Sequence, residues 1–546
     1  MFVRVKRSGP REYLQIVENF REGRKVRQRV IANLGRLDIL RGTGALDSIA
    51  TSLAQFSENV AVISSIKEGN QKVEWAKEWG SFLVFRRLWQ KMELDQIIGC
   101  LKKRSKCEFD VERAIFYTVL HRLTEPGGDL KTSKWLDDLH DPEGVKIGYQ
   151  HLLRAMGYLS HFKEQIEDAM FLKGRTLFDD SIDLVFFDTT SIYFEGEGPE
   201  GLAEYGHSKD HRPDRKQIIV GVVMTKEGDP ICCEYWPGKV SDVKALLQIV
   251  EVLKGRFKIR RIILVCDKGM VSESNLEKLE KERIDFIVGV RLRNVKEVRE
   301  EVLSTGGRYR EVEDNLKVKE VFLGEKRYII CVNPEAARKD QKTREKILSD
   351  LEEKLRRGAK ELIGNKGYRR YLKVEKGAVK IDEEKLKEEE RFDGKFVLLT
   401  SLKTQNSGTQ SQDPEFGLSC EEVAKSYKSL WEVEHAFRTL KDVLETRPIF
   451  HRKESHVKGH VFCSYLALCL LIALRKSLRE HNRDKVLVWD DVIGDLRSFR
   501  VIKATFSGKT YLMRTEFKGT AHRCFQAVGL KAPPVMWKIS STKGET

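Results

Sequence analysis

The stretch LVFFDTTSIYFE, Leu184 to Glu195, drives an aspartate, Asp188, out of a run of apolar and aromatic residues that reads as a buried strand. An ionised carboxylate buried without a partner is costly, so such a position is a chain end, a paired charge or a ligand site. The last requires other carboxylates. RIILVCDKGM, Arg261 to Met270, repeats the pattern and delivers Asp267 from a second apolar strand. Two strands ending in aspartate can set both carboxylates at one rim of a sheet. The competing reading of each, taken alone, is a helix cap or a turn residue.

A third carboxylate comes from SCEEVAKSYKSLWEVEHAFRTLKDVLE, which reads as one long helix from Ser419 to Glu445. At about 100° per residue, Tyr427, Trp431, Glu434, Arg438 and Lys441 fall within an arc of roughly 80°. Val433, Ala436, Phe437, Leu440 and Leu444 form a separate apolar arc that must face a core. Glu432 lies about 160° from Glu434 and faces elsewhere. The plainer reading of the polar arc is a solvated ionic face. Three carboxylates can instead hold a pair of Mg²⁺ or Mn²⁺ ions, hard cations that take oxygen ligands. Such a pair, about 3.5–4 Å apart, suits phosphodiester displacement.

The strands around these residues define the organisation. LVFFD is followed by QIIVGVVMT and PICCEYW, a hairpin across KEGD, and then by RIILVCD and DFIVGVRL, which are separated by amphipathic helices. The order is three strands, helix, strand, helix, strand, with FVLLTSL resuming the pattern after an interruption. This is an α/β mixed sheet. The interruption, 294–392, is rich in charge and has short strands such as KEVFLGEKRYIICVN. It reads as an insertion domain rather than a continuation of the sheet.

Upstream, residues 1–40 alternate apolar with basic positions and predict a small basic antiparallel β segment, a candidate DNA contact. Residues 41–72 read as a linker with a short helix. From 73 to 178 the period is helical, giving an all-α domain suited to DNA binding. The core then takes 179–293 plus 393–478. The tail, 479–546, carries no assignable motif and is left for DNA or oligomer contacts.

With 546 residues and 40% hydrophobic residues, the chain can bury several cores, and roughly three or four domains are expected. Its 99 Lys and Arg against 83 Asp and Glu leave a formal net charge of +16, which favours a polyanionic partner such as nucleic acid. No membrane partner is expected, because the longest apolar run, VFCSYLALCLLIAL from Val461 to Leu474, is too short to span a bilayer and reads as a core helix. No signal peptide precedes the charged start, and ten scattered cysteines form no disulfide framework, so a cytoplasmic, nucleoid-associated protein is expected. His456, His460 and Cys463 have ligand-like spacing but no fourth ligand, and read as a helix start entering the core.

These residues together resemble the DDE transposases of bacterial and archaeal insertion sequences, which have an RNase H-like core. The resemblance is to the insertion-sequence-four-like superfamily, whose last acidic residue sits in a Y-(2)-R-(3)-E-(6)-K signature. YKSLWEVEHAFRTLK holds Tyr427, Glu434 and Lys441 at the required spacings, with Leu430 at the arginine position and Arg438 one turn beyond Glu434. FFDTTSIYFE, GHSKDHRPDRKQIIVGVVM, PGKVSD, VCDKGM, RPIFHRKESHVKGHVF and the N-terminal segment are also similar to the family. The resemblance implies that Asp188, Asp267 and Glu434 are the catalytic triad and hold two Mg²⁺ or Mn²⁺ ions. It implies that 294–392 is the family's insertion domain.

It also implies double-stranded DNA as partner, both element terminal inverted repeats and target, with a homodimer in the synaptic complex. Tyr427, Arg438 and Lys441 would contact DNA. So would the loop GHSKDHRPDRK through His207, Lys209, Arg212, Arg215 and Lys216, whose plainer reading is a solvated hairpin loop. Glu195, Glu197, Glu200 and Glu204 lie in a Gly-rich loop without a strand to fix them. Trp236 and Trp431 are candidates for base stacking but read more simply as core. The activity implied is cleavage of element ends and joining of 3′-hydroxyls to target DNA. A metal-dependent nuclease without strand transfer, and a catalytically inactive DNA-binding relative, are the rivals.

Overall fold

The computed structural model describes residues 1–22, 25–54, 71–104, 107–174, 183–257, 259, 262–267, 273–357, 371–375, 378–403, 417–481, 488–506 and 509–539. The N-terminal alternation folds as β1 (Phe2–Ser8), β2 (Arg11–Glu22) and β3 (Lys25–Arg36), an antiparallel sheet in sequence order. Leu14 packs beneath Leu37 and Leu40 of the following helix, giving the segment a small apolar cluster of its own.

The helical region begins differently from its expected period. β4 (Gln71–Glu78) is a strand, paired antiparallel with Arg500–Phe506 of the tail. Its partner lies far away in sequence, so no local pattern reveals the pairing. Helices Gly80–Lys91, Leu94–Lys102, Val111–Thr124, Asp129–Trp135 and Tyr149–Gly174 follow and pack into one core with the helix Glu454–His481. That last helix has the length and apolarity of a membrane span, yet 83% of its most apolar window is buried in the protein. It is a core helix.

The central sheet is built from β5 (Asp183–Tyr193), β6 (Gln217–Thr225), β7 (Pro230–Pro237), β8 (Ile262–Cys266) and β9 (Asp285–Val290). β10 (Arg310–Glu313), β11 (Leu316–Leu323), β12 (Lys326–Val332) and, beyond the small hairpin of β13 (Leu372–Glu375) and β14 (Ala378–Ile381), β15 (Lys395–Thr400) continue it. The order is β10-β11-β12-β15-β9-β8-β5-β6-β7. β5, β8 and β9 run parallel, and β5-β6-β7 form an antiparallel meander. Three antiparallel strands followed by two parallel ones, with the first strand in the middle, is the RNase H-like arrangement.

Residues 294–392 therefore do not stand apart from the sheet as their charge content predicts: β10, β11 and β12 extend it. β12 carries Tyr328 and Ile330 into the core on one face and Ile329 and Cys331 into the core on the other, so it must be covered on both sides. The charge resides in the helix Pro334–Arg357, which joins Tyr371 and Leu372 in a separate cluster through Leu351. The tail supplies the helices Trp489–Ser498 and Ala521–Ala527, together with β16 (Arg500–Phe506), β17 (Lys509–Arg514) and β18 (Met536–Lys538). These three strands form one sheet with β4.

Two contacts hold the helices, one to the sheet and one to each other. Lys163 and Glu167 of the helix Tyr149–Gly174 pair with each other at 3.1 Å, while Lys163 reaches Glu234 of β7 at 2.7 Å and Glu167 reaches Arg256 at 2.7 Å. Glu167 also accepts the Cys233 N–H at 3.0 Å, so its buried charge is satisfied. The second contact is steric. A Cβ at Gly459 would fall 2.0 Å from the Met156 carbonyl oxygen, so the two longest core helices cross where only hydrogen fits. Gly459→Ala is expected to cost about 1–3 kcal/mol and lower the thermal unfolding midpoint. Gly157→Ala, whose Cβ would meet His456 only at 3.9 Å, should shift it less in the same circular-dichroism melt.

Candidate active site

β5 and β8 pair in parallel with Phe186 opposite Val265. Extending that register by two residues sets Asp188 beside Asp267 on neighbouring strands, whose spacing is about 4.8 Å. Phe186 and Val265 both belong to the core on the bundle side of the sheet, so by strand alternation the two aspartates point to that side as well. The sheet thus turns two separated sequence motifs into one pair.

The third carboxylate arrives on a helix packed over the same face. The expected continuous helix is broken: Cys420–Lys428 is one segment, Trp431–Arg438 the next, and Thr439–Val443 closes as a π-helical turn. Ser419 and Glu422 form a capping box that fixes the start. Val433, Ala436, Phe437 and Leu440 enter the core as the apolar arc predicts. Glu434 is left exposed at the rim, and Asp188, Asp267, Glu434, Arg438 and Lys441 line one cleft of about 480 Å³. Tyr427 lies at the margin, its hydroxyl donating to Asp267 Oδ1 at 3.2 Å. Leu430, at the signature's arginine position, is buried in the core. The side chain of Glu432 lies outside the described residues, and so do Lys268, Gly269 and Met270.

Burial pushes the Asp188 carboxyl up to about 6, against the pull of the Lys209 ammonium and the Thr189 N–H; Asp242 and Asp267 add to the push. The Thr189 N–H donates to Asp188 Oδ1 at 2.7 Å, and Lys209 Nζ stands 3.8 Å from the same oxygen. Lys209 also donates to the Thr189 carbonyl at 2.8 Å and pairs with Asp242 at 3.3 Å. Its charge is shared among several acceptors.

Of the five loop residues expected at the site, only Lys209 reaches the cleft. Arg212 is held by Asp214 at 2.9 Å and lies over the Tyr193 ring, Arg215 pairs with Glu195 at 3.1 Å, and Lys216 pairs with Glu197. His207 is exposed away from the carboxylates, its carbonyl accepting from Gln217 at 3.0 Å. Two of the acidic residues before the loop, Glu195 and Glu197, are thus partners of its cations, while Glu204 pairs with Lys239.

Sequence reasoning missed Asp210 and Arg447, which also line the cleft. Asp210 is almost fully buried and accepts from Lys441 Nζ at 2.7 Å and from Arg447. It pins the loop to the end of the Glu434 helix. Burial lowers the Lys441 ammonium, although Asp210 opposes this. Arg122 of the bundle was also missed. Its buried guanidinium points at the carbonyls of Leu444 and Glu445, at 3.4 and 3.5 Å, and at His460 Nδ1, at 3.2 Å. His460 Nε2 contacts the Thr446 carbonyl at 3.0 Å. Together they satisfy the backbone where the Glu434 helix ends. Asp210 sits in a loop full of charge, and Arg122 in a region read as an all-α domain, so neither stood out locally. The ring nitrogens of His460 are both engaged in this way, consistent with a buried helix start.

Comparison with family models matches residues 2–66 to the IS1634 family transposase N-terminal domain and residues 179–470 to the transposase DDE domain. No curated protein matches. Among solved structures, the cryo-EM structure of a piggyBac transposase synaptic complex with hairpin DNA is 12% identical. That alignment covers 77% of this chain and 79% of that chain at a TM-score of 0.33. Since the DDE match spans more than half of the 546 residues and encloses Asp188, Asp267 and Glu434, the chain belongs to the DDE transposases of insertion sequences, a family of DNA-binding and DNA-cleaving enzymes.

Proposed function

We propose that the protein binds the terminal inverted repeats of its own element, cleaves the phosphodiester bonds at the ends and joins the freed 3′-hydroxyls to target DNA, with Asp188, Asp267 and Glu434 as the catalytic carboxylates. The observation that carries this reading is that Asp188 and Asp267, two residues past the last paired positions of β5 and β8, line one cleft with Glu434. The donor set fits hard divalent cations, because it consists of carboxylate oxygens and Asp188 has among the described residues one ion-pair cation, Lys209 at 3.8 Å. Among the described residues no three such side chains already converge on one point, so Glu434, exposed and without an ion pair, completes the set by moving its side chain. Two Mg²⁺ or Mn²⁺ ions would activate the attacking oxygen and stabilise the leaving one.

The chain's own residues do the rest. Tyr427 orients the Asp267 carboxylate through its hydroxyl, and Lys209 balances Asp188 and Asp242. Arg438 is exposed at the cleft without an ion pair among the described residues, and it takes the scissile strand's phosphate in place of the arginine missing at Leu430. The basic sheet of residues 1–40 and the helices of 73–178 grip the element ends, and two copies of the chain bring two ends together.

The test is single-turnover cleavage of a terminal-repeat duplex, followed by capture of products in a target plasmid. Asp188→Ala, Asp267→Ala and Glu434→Ala should each lower cleavage by on the order of 10³-fold or more. Binding of the same duplex should stay within a few-fold. Cleaved ends that never enter the target would identify a nuclease, and full cleavage by all three variants would remove the triad.

Activity should depend on Mg²⁺ or Mn²⁺, vanish on chelation and return when the ion is restored. Ca²⁺ should support binding but little cleavage, its looser coordination being poorly matched to in-line displacement. Turnover undiminished by EDTA would refute the metal assignment.

Arg438→Ala should reduce the cleavage rate at saturating DNA by roughly tenfold or more, with a smaller loss of affinity. Arg438→Lys should remain impaired, since an ammonium cannot reproduce a bidentate guanidinium–phosphate contact. Wild-type rates for both would return this side chain to solvent.

A further inference from the structure

Most cations gathered near the cleft are already neutralised. Lys441 and Arg447 share the buried Asp210, Lys209 is spread over Asp242, Asp188 and Thr189, and Arg212, Arg215 and Lys216 each hold a carboxylate. A phosphate arriving on that side must compete with internal ion pairs. The opposite side of Asp267 differs.

A second groove, of about 330 Å³, begins at Asp267 and Tyr427 and runs along the sheet rim between the end of β9 and the start of β15. β9 pairs antiparallel with β15, Val290 opposite Val397, so one further step sets Arg291 opposite Phe396 on one face, while Lys395 starts β15 on the other, and both line the groove at the rim. Arg291 is exposed, Lys395 is half-buried, and neither makes an ion pair among the described residues. Arg293 and Asn294 stand exposed just beyond, Arg293 held by Glu389 at 3.0 Å. Phe396 and Tyr427 stack, with ring centroids 5.9 Å apart, and form a firm wall beside the cations. Burial, with Arg391 and Lys319 nearby, draws the Lys395 ammonium below its ordinary value, and only Asp393 opposes this.

We propose that this groove seats the sugar–phosphate backbone of the DNA strand running on from the scissile bond, with Arg291 and Lys395 binding successive phosphates. The proposal rests on the reading of Asp188, Asp267 and Glu434 as the cleavage site, and it adds the direction in which the strand leaves them. An anion suits the groove because Arg291 and Lys395 have no ion-pair partner among the described residues. A polymer is needed because the groove is open, shares Asp267 with the cleft and continues past it to Arg293 and Asn294. The contact is to backbone, so it carries no base preference.

The experiment compares wild type with the Arg291→Ala/Lys395→Ala double variant on two duplexes, one continuing past the cleavage point and one ending at it. Circular dichroism melts first establish that both proteins fold alike. On the extended duplex the double variant should bind at least tenfold more weakly. The slope of log affinity against log salt should shrink by about 1 to 2, as loss of one or two phosphate contacts requires. On the duplex that stops short, the two proteins should bind alike. The swap Arg291→Lys/Lys395→Arg, which keeps both charges, should recover most of the salt slope.

An unchanged slope on the extended duplex, or the same loss on both duplexes, would overturn the proposal. So would tight calorimetric binding of inorganic phosphate to the wild type that the double variant loses, because the site would then serve a free anion. Competition by an acidic peptide but not by DNA would assign the groove to a protein partner and likewise overturn it. Failure of wild type to cleave either duplex would instead count against the proposed function.

Discussion

The parallel pairing of β5 with β8 is the constraint on which the site depends. A slip of one residue in that register would turn Asp267 to the opposite face of the sheet, away from Asp188 and from the Glu434 helix. Register is secured because both strands are buried on both faces: Phe186 and Val265 face the bundle, whereas Val185 and Leu264 face the helix Asp242–Gly255. Packing on two sides thus positions two charged groups just past the paired stretch of β5 and β8. The cost appears in Asp188, whose carboxyl burial raises to about 6.

The helix that brings Glu434 to this rim is held at both ends by groups from elsewhere. Ser419 and Glu422 close its start locally, whereas its far end relies on Arg122 and His460 from the bundle and on Asp210 from the loop after β5. Each of these supplies or neutralises a polar group that burial would otherwise make expensive. The bundle is therefore part of the catalytic architecture and not merely an attachment to it. The Gly459 crossing fixes the two longest core helices to each other, and the Lys163–Glu167–Arg256 network, through Glu234 of β7, fixes the bundle against the sheet and thereby fixes Arg122.

Charge has a meaning here that a net sum of +16 conceals. The loop from Gly206 to Lys216 is rich in cations, but acidic neighbours consume most of their charge and turn the loop into a fixed support. Among the described residues, cations without an ion pair stand instead at Arg438, Arg291 and Lys395, which line the two grooves at Asp267. A basic stretch in one dimension and an anion-binding surface in three are different objects, because pairing within the fold takes precedence over pairing with a ligand.

The sequence by itself determined the core strands, the aspartates that two of them carry and the amphipathic helix with Tyr427, Glu434 and Lys441 on one side, since each is a local signal of period 2 or 3.6, but β5 runs on past Asp188 to Tyr193 where the sequence pattern read a strand end. It also carried the resemblance to the family that the DDE match later showed for residues 179–470. Only the tertiary structure decided which cations are spent, that β10, β11 and β12 extend the sheet, and that β4 pairs with a tail strand more than four hundred residues away. The physical reason is the same in each case. Strand pairing and ion pairing join residues remote in the chain, and their energy depends on burial that no window of sequence contains.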